Sequence, residues 1–143
     1  MSPEEVPMTA AFPDARELSP LQMAYLGDTL QDLYVRSRLV AHRAPVGQMH
    51  RRAVRFVSCE AQASMLERLQ DTLTDAEADM VRRGRNAQAK HAAPRHAQAA
   101  DYQKATGLET LWGWLYVTGQ RERLDALMSA ALSEMEELWA KQS

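Results

Sequence analysis

Two carboxylates, Asp28 and Glu109, stand in stretches with almost no other charge. Asp28 lies in Leu21-Gln-Met-Ala-Tyr-Leu-Gly-Asp-Thr-Leu30, and Glu109 in Ala105-Thr-Gly-Leu-Glu-Thr-Leu-Trp-Gly-Trp-Leu-Tyr116. On a helix, the neighbours one turn from Asp28 are Ala24, Tyr25, Gln31 and Asp32, and those of Glu109 are Ala105, Thr106, Trp112 and Gly113. None is a cation. A carboxylate taken out of water must be neutralised, paired or metal-bound, so this pair points to a divalent cation shared between two helices. The other common chemistries lack their signatures. The four histidines include no His-Glu-x-x-His pair, one cysteine gives no zinc-site spacing, and neither a Gly-rich phosphate loop nor a Ser-His-Asp arrangement is evident.

The elements that must position the pair are helical. Ser19-Pro20 is an N-cap followed by proline at the first helical position, and the apolar pattern then runs from Leu21 to about Val40. Ala44-Pro45 breaks the chain. A second helical stretch extends from Val46 to about Leu73, with an interruption expected near Ser58. Thr74-Asp-Ala-Glu77 is a capping box opening a short helix to Arg83, which Gly84 is placed to end. From residue 85 to 100 large apolar residues are lacking, and an exposed basic loop is expected. Asp101–Thr118 reads as a helix ended by Gly119, and Arg121–Lys141 as one final helix with an apolar face. Gly27 beside Asp28, and Gly113 one turn beyond Glu109, either serve ordinary tight packing or let two helices approach closely enough for their carboxylates to share an ion.

The fold class is all-α. Residues 1–18, with Pro3, Pro7 and Pro13, are expected to form a flexible N-terminal tail, and residues 19–141 one globular domain. No apolar run approaches the ~20 residues that a bilayer demands. With a single cysteine and no basic-then-apolar leader, a reducing cytoplasmic location is expected.

The net charge of −2 conceals a strong polarisation. The segment 33–59 holds no acid and six arginines, and 80–100 holds no acid and Arg82, Arg83, Arg85, Lys90 and Arg95, so eleven of the 17 Lys and Arg occupy two acid-free segments. Such segments are either solvated faces or surfaces for a phosphate-bearing partner.

These residues carry a family resemblance. Ala24-Tyr-Leu-Gly-Asp-Thr-Leu30 and Thr106-Gly-Leu-Glu-Thr-Leu-Trp-Gly113 are similar to the two signatures of the ribonuclease III catalytic domain. His50-Arg-Arg-Ala-Val-Arg-Phe-Val-Ser-Cys-Glu-Ala-Gln-Ala63, Arg82-Arg-Gly-Arg-Asn-Ala87 and Tyr102-Gln-Lys-Ala-Thr-Gly-Leu-Glu109 resemble its Mini-ribonuclease III branch, which lacks a double-stranded-RNA-binding domain. Ala24 and Thr106 stand where the larger enzymes carry acids, as in the Mini branch.

The resemblance implies a single ribonuclease III-type helical bundle forming a twofold homodimer. It implies hydrolysis of double-stranded RNA to 5′-phosphate and 3′-hydroxyl ends, in maturation of the 23S ribosomal RNA precursor. Asp28 and Glu109 would be catalytic and would hold Mg²⁺, with Mn²⁺ able to substitute, since a hard cation needs only one or two protein carboxylates beside water and phosphate. Arg82, Arg83, Arg85, Asn86, Lys90 and Arg95, with His50, Arg51 and Arg52, are the expected RNA contacts, reading duplex shape through its backbone. The dimer contact is expected either on the helix of Trp112, Trp114 and Tyr116 or on that of Tyr25 and Tyr34. A non-catalytic RNA-binding scaffold is the alternative.

Overall fold

Ser19 starts the first helix as the sequence predicts. Its Oγ accepts from the Gln22 backbone N–H at 3.1 Å, and the Gln22 side chain accepts from Ser19 N–H at 2.8 Å, with Pro20 in the first turn. In the computed structural model, which describes residues 9–90 and 98–142, this helix α1 spans Pro20–Ala41 and is followed by α2 Val46–Val57, α3 Cys59–Leu69, α4 Asp75–Gln88, α5 Ala99–Val117, α6 Arg121–Ala131 and α7 Ser133–Gln142. No strand occurs among the described residues. None of their helices is long and apolar enough to cross a membrane.

The anticipated interruption near Ser58 is a true break. Ser58 adopts an extended conformation, ends α2, and caps α3 by accepting from the Ala61 N–H at 3.2 Å. Residues 1–8 of the expected tail lie outside the described residues. Its remainder carries a 3-10 turn at Ala15–Glu17, and Phe12 packs edge-on against the Tyr116 ring.

Two expectations are corrected. Gly84 does not end α4, which continues to Gln88. A Cβ at Gly84 would lie 2.3 Å from Thr110 Oγ1 and 3.0 Å from Gly107 Cα, so the glycine serves a close crossing of α4 with α5. Arg85 and Asn86, expected in a loop, are therefore helical. The final helix is two helices, because the chain bends at the fully buried Leu132 so that Leu124, Leu127 and Met128 on one side and Met135 on the other pack into one core.

The axis of that core is α5. Leu108, Leu111, Trp112 and Leu115 are wholly buried, and α1, α3, α4 and α6 pack around them. The crossing of α1 and α5 is reciprocal: a Cβ on Gly27 would stand 1.8 Å from the Glu109 carbonyl oxygen, and one on Gly113 would stand 1.9 Å from that of Met23. Each glycine thus accommodates the carbonyl four residues before the other, and the two backbones meet with no side chain between them.

Candidate active site

The backbone contact between Gly27 and Glu109 brings the carboxylate of the next residue, Asp28, alongside that of Glu109. Asp28 is exposed, whereas Glu109 is largely withdrawn from solvent. The Glu109 carboxyl is pushed up to about 8 from an ordinary 4.5, first by burial, then by the charge of Asp28 and a hydrogen bond with it. Gln62 acts in the opposite sense, donating from Nε2 to Glu109 Oε2 at 3.4 Å. No ion pair engages Asp28 or Glu109 among the described residues. Nor do those residues contain a cluster of three or more His, Cys, Asp or Glu able to hold a metal. Two converging carboxylates without a compensating cation form an oxygen donor set, which fits a divalent ion that keeps part of its water.

The two positions where larger relatives would carry acids are occupied otherwise. Ala24 is buried, and the Thr106 hydroxyl is committed to the Tyr102 carbonyl at 3.0 Å and to Gln88 of α4 at 3.5 Å. Cys59, the first residue of α3, is half-buried, and its thiol is pushed up by burial and then by Glu109.

The expected RNA contacts divide by element. Arg82 and Arg83 are exposed on α4, both beside Asp79, with Asn86 exposed one turn on. Arg85 is half-buried, and Lys90 is exposed just past the helix end. Arg95 lies outside the described residues. On α2, His50 and Arg51 are exposed, while Arg52 is half-buried and donates to Gln48 at 2.6 Å.

Of the two faces considered for a dimer, the tryptophan helix is mostly spent on the core. Trp112 is wholly buried, and Trp114 and Tyr116 are half-buried. Tyr25 on α1 is 86% exposed.

Two buried residues near the carboxylates escaped the sequence reading, Gln31 and Gln62. Each interrupts an apolar row at helical spacing: Gln62 stands with Met65, Leu66 and Leu69, and Gln31 with Ala24, Gly27 and Val35. A polar residue on a core-facing row is the signal that would have found them.

The chain is similar to known proteins over most of its length. A family profile described as Ribonuclease III domain matches residues 21–120. The Mini-ribonuclease 3 of Symbiobacterium thermophilum is 47% identical over 120 residues, covering 83% of this chain and 92% of that one. That of Synechocystis is 45% identical over 120 residues, covering 84% and 82%, respectively. A crystal structure of a Fusobacterium nucleatum protein superposes with a TM-score of 0.77 over 87% of this chain and 99% of the other, at 20% identity, and shares the fold. The chain belongs to the ribonuclease III family, in its Mini-ribonuclease III branch. It is an endoribonuclease.

Proposed function

We propose that this endoribonuclease cuts double-stranded RNA with Mg²⁺, or Mn²⁺ in its place, held by Asp28 and Glu109, and that it does so as a twofold homodimer in the cytoplasm. The observation that carries this reading is the pair itself. A half-buried Glu109 is brought against a second carboxylate by a glycine crossing, and no cation of the described residues offsets the repulsion. A bound divalent ion would supply Lewis-acid chemistry, lowering the pKa of an attacking water and neutralising charge that develops on the phosphate. The protein's part is to present one oxygen donor from α1 and one from α5, and to keep their backbones from shifting apart.

Arg82, Arg83, Arg85, Asn86, Lys90 and Arg95 take the backbone phosphates, together with His50, Arg51 and Arg52 of α2. Such contacts read duplex shape, and they weaken steeply as salt rises. Products carry 5′-phosphate and 3′-hydroxyl ends, and the natural substrate is the 23S ribosomal RNA precursor, as the resemblance of the sequence motifs implies. Two sites related by a twofold axis each face one strand of the duplex. The exposed Tyr25, near Asp28 on α1, supports α1 as the contact.

The test is cleavage of a double-stranded RNA by the purified protein in Mg²⁺. Asp28→Asn and Glu109→Gln should each abolish cutting while leaving RNA binding in Ca²⁺ intact. Full cleavage by either variant would refute the assigned roles, and binding without cleavage by the wild type would leave a scaffold.

A further inference from the structure

Helix α2 ends at Val57 with its last carbonyls projecting, as every helix end does. Two buried glutamines collect them. Gln31 of α1 donates from Nε2 to the Phe56 carbonyl at 3.3 Å, and Gln62 of α3 donates from Nε2 to the Val57 carbonyl at 2.9 Å. Both glutamines also reach α5, one helical turn apart: Trp112 donates to Gln31 Oε1 at 2.7 Å, and Gln62 Nε2 donates to Glu109 Oε2. Gln31 is wholly buried and Gln62 is 3% exposed.

The two amides differ in what remains. Both ends of Gln31 are engaged, whereas Gln62 Oε1 is buried with no protein partner. An orphaned acceptor is disfavoured in a packed interior, where an apolar side chain of the same size would avoid the penalty. Its position on the amide that touches Glu109 makes it available to a water molecule of the site. The 3.4 Å Gln62–Glu109 contact is long, as hydrogen bonds at reaction centres often are before ligand binds. The Val57 carbonyl anchors the same Nε2, so one amide nitrogen joins Glu109 to the end of α2, the helix that bears His50, Arg51 and Arg52.

We propose that Gln62 is a positioning residue for RNA cleavage: it fixes the Glu109 carboxylate in the orientation that holds the divalent ion, and it ties the basic helix α2 to that carboxylate. This rests on the metal-dependent reading above. Gln31, which grips α2 and α5 without touching Glu109, is a packing tie.

The experiment compares the full chain with Gln62→Met, similar in volume and without the amide, and with Gln31→Met. Three quantities are read: kcat and KM on a double-stranded RNA in Mg²⁺, the Kd for Mn²⁺ of the RNA-free protein by electron paramagnetic resonance, and the circular-dichroism melt. Gln62→Met should fold, lose about 10- to 100-fold in kcat with KM within about twofold, and bind Mn²⁺ about tenfold more weakly. Gln31→Met should lower the melt and leave kcat and the Mn²⁺ Kd in place. Should Gln62→Met fail to fold, Gln62→Asn, which keeps the amide but is too short to span Val57 and Glu109, must show the same kcat and Mn²⁺ losses. A folded Gln62 variant with wild-type kcat and Mn²⁺ affinity overturns the proposal while leaving the nuclease reading standing. A wild-type protein that neither cuts RNA nor binds Mn²⁺ overturns the nuclease reading, and this proposal falls with it.

Discussion

The Glu109 carbonyl oxygen occupies the space a Cβ on Gly27 would need, 1.8 Å from its ideal position. The residue beside one proposed ligand is thereby in backbone contact with the other, and the spacing of the two helices that carry the carboxylates is set by main chain, which cannot repack as a side chain can. Gly27→Ala should gain about 1 kcal/mol of helix propensity and lose about 3 kcal/mol to overpacking. The net is a fall in melting temperature of about 4–8 °C. Gly47→Ala is the control. Nothing lies within 4 Å of a Cβ there, so its melt should stay level or rise slightly. An unperturbed melt for Gly27→Ala would show that the two helices can separate at little cost.

The raised pKa of Glu109 makes the metal-free protein sensitive to pH. Between the ordinary 4.5 and about 8 the folded chain holds a proton that the unfolded chain releases, so this group's contribution to stability is full at low pH and is lost as pH rises through that window. The melting temperature in chelator should therefore fall from about pH 5 to about pH 8 more steeply for wild type than for Glu109→Gln, which has no carboxyl to titrate. Millimolar Mg²⁺ should restore more stability at the alkaline end, where the pair is ionised and can hold it. Equal pH slopes for the two proteins would show that Glu109 ionises normally.

A second buried carboxylate is handled in the opposite way. Glu77, 2% exposed, receives Arg123 Nε and a terminal guanidinium nitrogen, each at 2.8 Å, and the same terminal nitrogen donates to the Thr72 carbonyl at 2.8 Å. The Glu77 carboxyl is held below its ordinary 4.5 chiefly by this arginine, so the pair's contribution is present above that value and lost in acid. Arg123→Met leaves the buried Glu77 charge with the Thr74 N–H, at 2.9 Å, but with no cation, and should cost about 3 kcal/mol in urea unfolding at neutral pH. Glu77→Gln combined with Arg123→Met should recover part of that loss. A neutral single mutant would mean that Glu77 reaches water without the arginine. The contrast sets Glu77, a structural ion pair, against Glu109, which has no such partner and is the proposed metal ligand.

How far these features could be read beforehand depended on how local their cause was. The start of α1 is written in Ser19 and Pro20, and the break at Ser58 was anticipated near its place. Gly84 was misread because a glycine after a polar stretch looks like a stop, and the reason it sits inside α4 is Thr110, 26 residues away on a helix the local pattern does not reveal. The α6–α7 bend left no mark, since Leu124, Leu127, Met128, Leu132 and Met135 keep helical spacing straight through it. The carboxylate pair was legible because isolated acids in apolar helices demand a partner. Gln62 was passed over because an uncharged amide makes no comparable demand until its neighbours are known.

The homodimer can be tested on α1. Tyr25, Leu33 and Val40 are 86, 57 and 65% exposed and recur at steps of eight and seven residues, which places them on one face of the helix, and Val46 of α2 adds 84% exposure nearby in sequence. These apolar side chains, interleaved with the exposed Asp32–Arg36 ion pair, suit a contact surface, and a twofold axis through it would cover the face with its own copy. Tyr25→Arg should convert a dimer to a monomer in sedimentation at micromolar concentration while the helical circular-dichroism signal is retained. Tyr25→Phe, which keeps the ring, should remain dimeric. Because Tyr25 is three residues from Asp28, the proposed contact and the proposed cutting site would share one face of α1, and a monomer should nick single strands where the dimer severs both. A Tyr25→Arg protein that still sediments as a dimer and still cuts both strands would move the interface elsewhere, and with it the spacing of the two sites along the duplex.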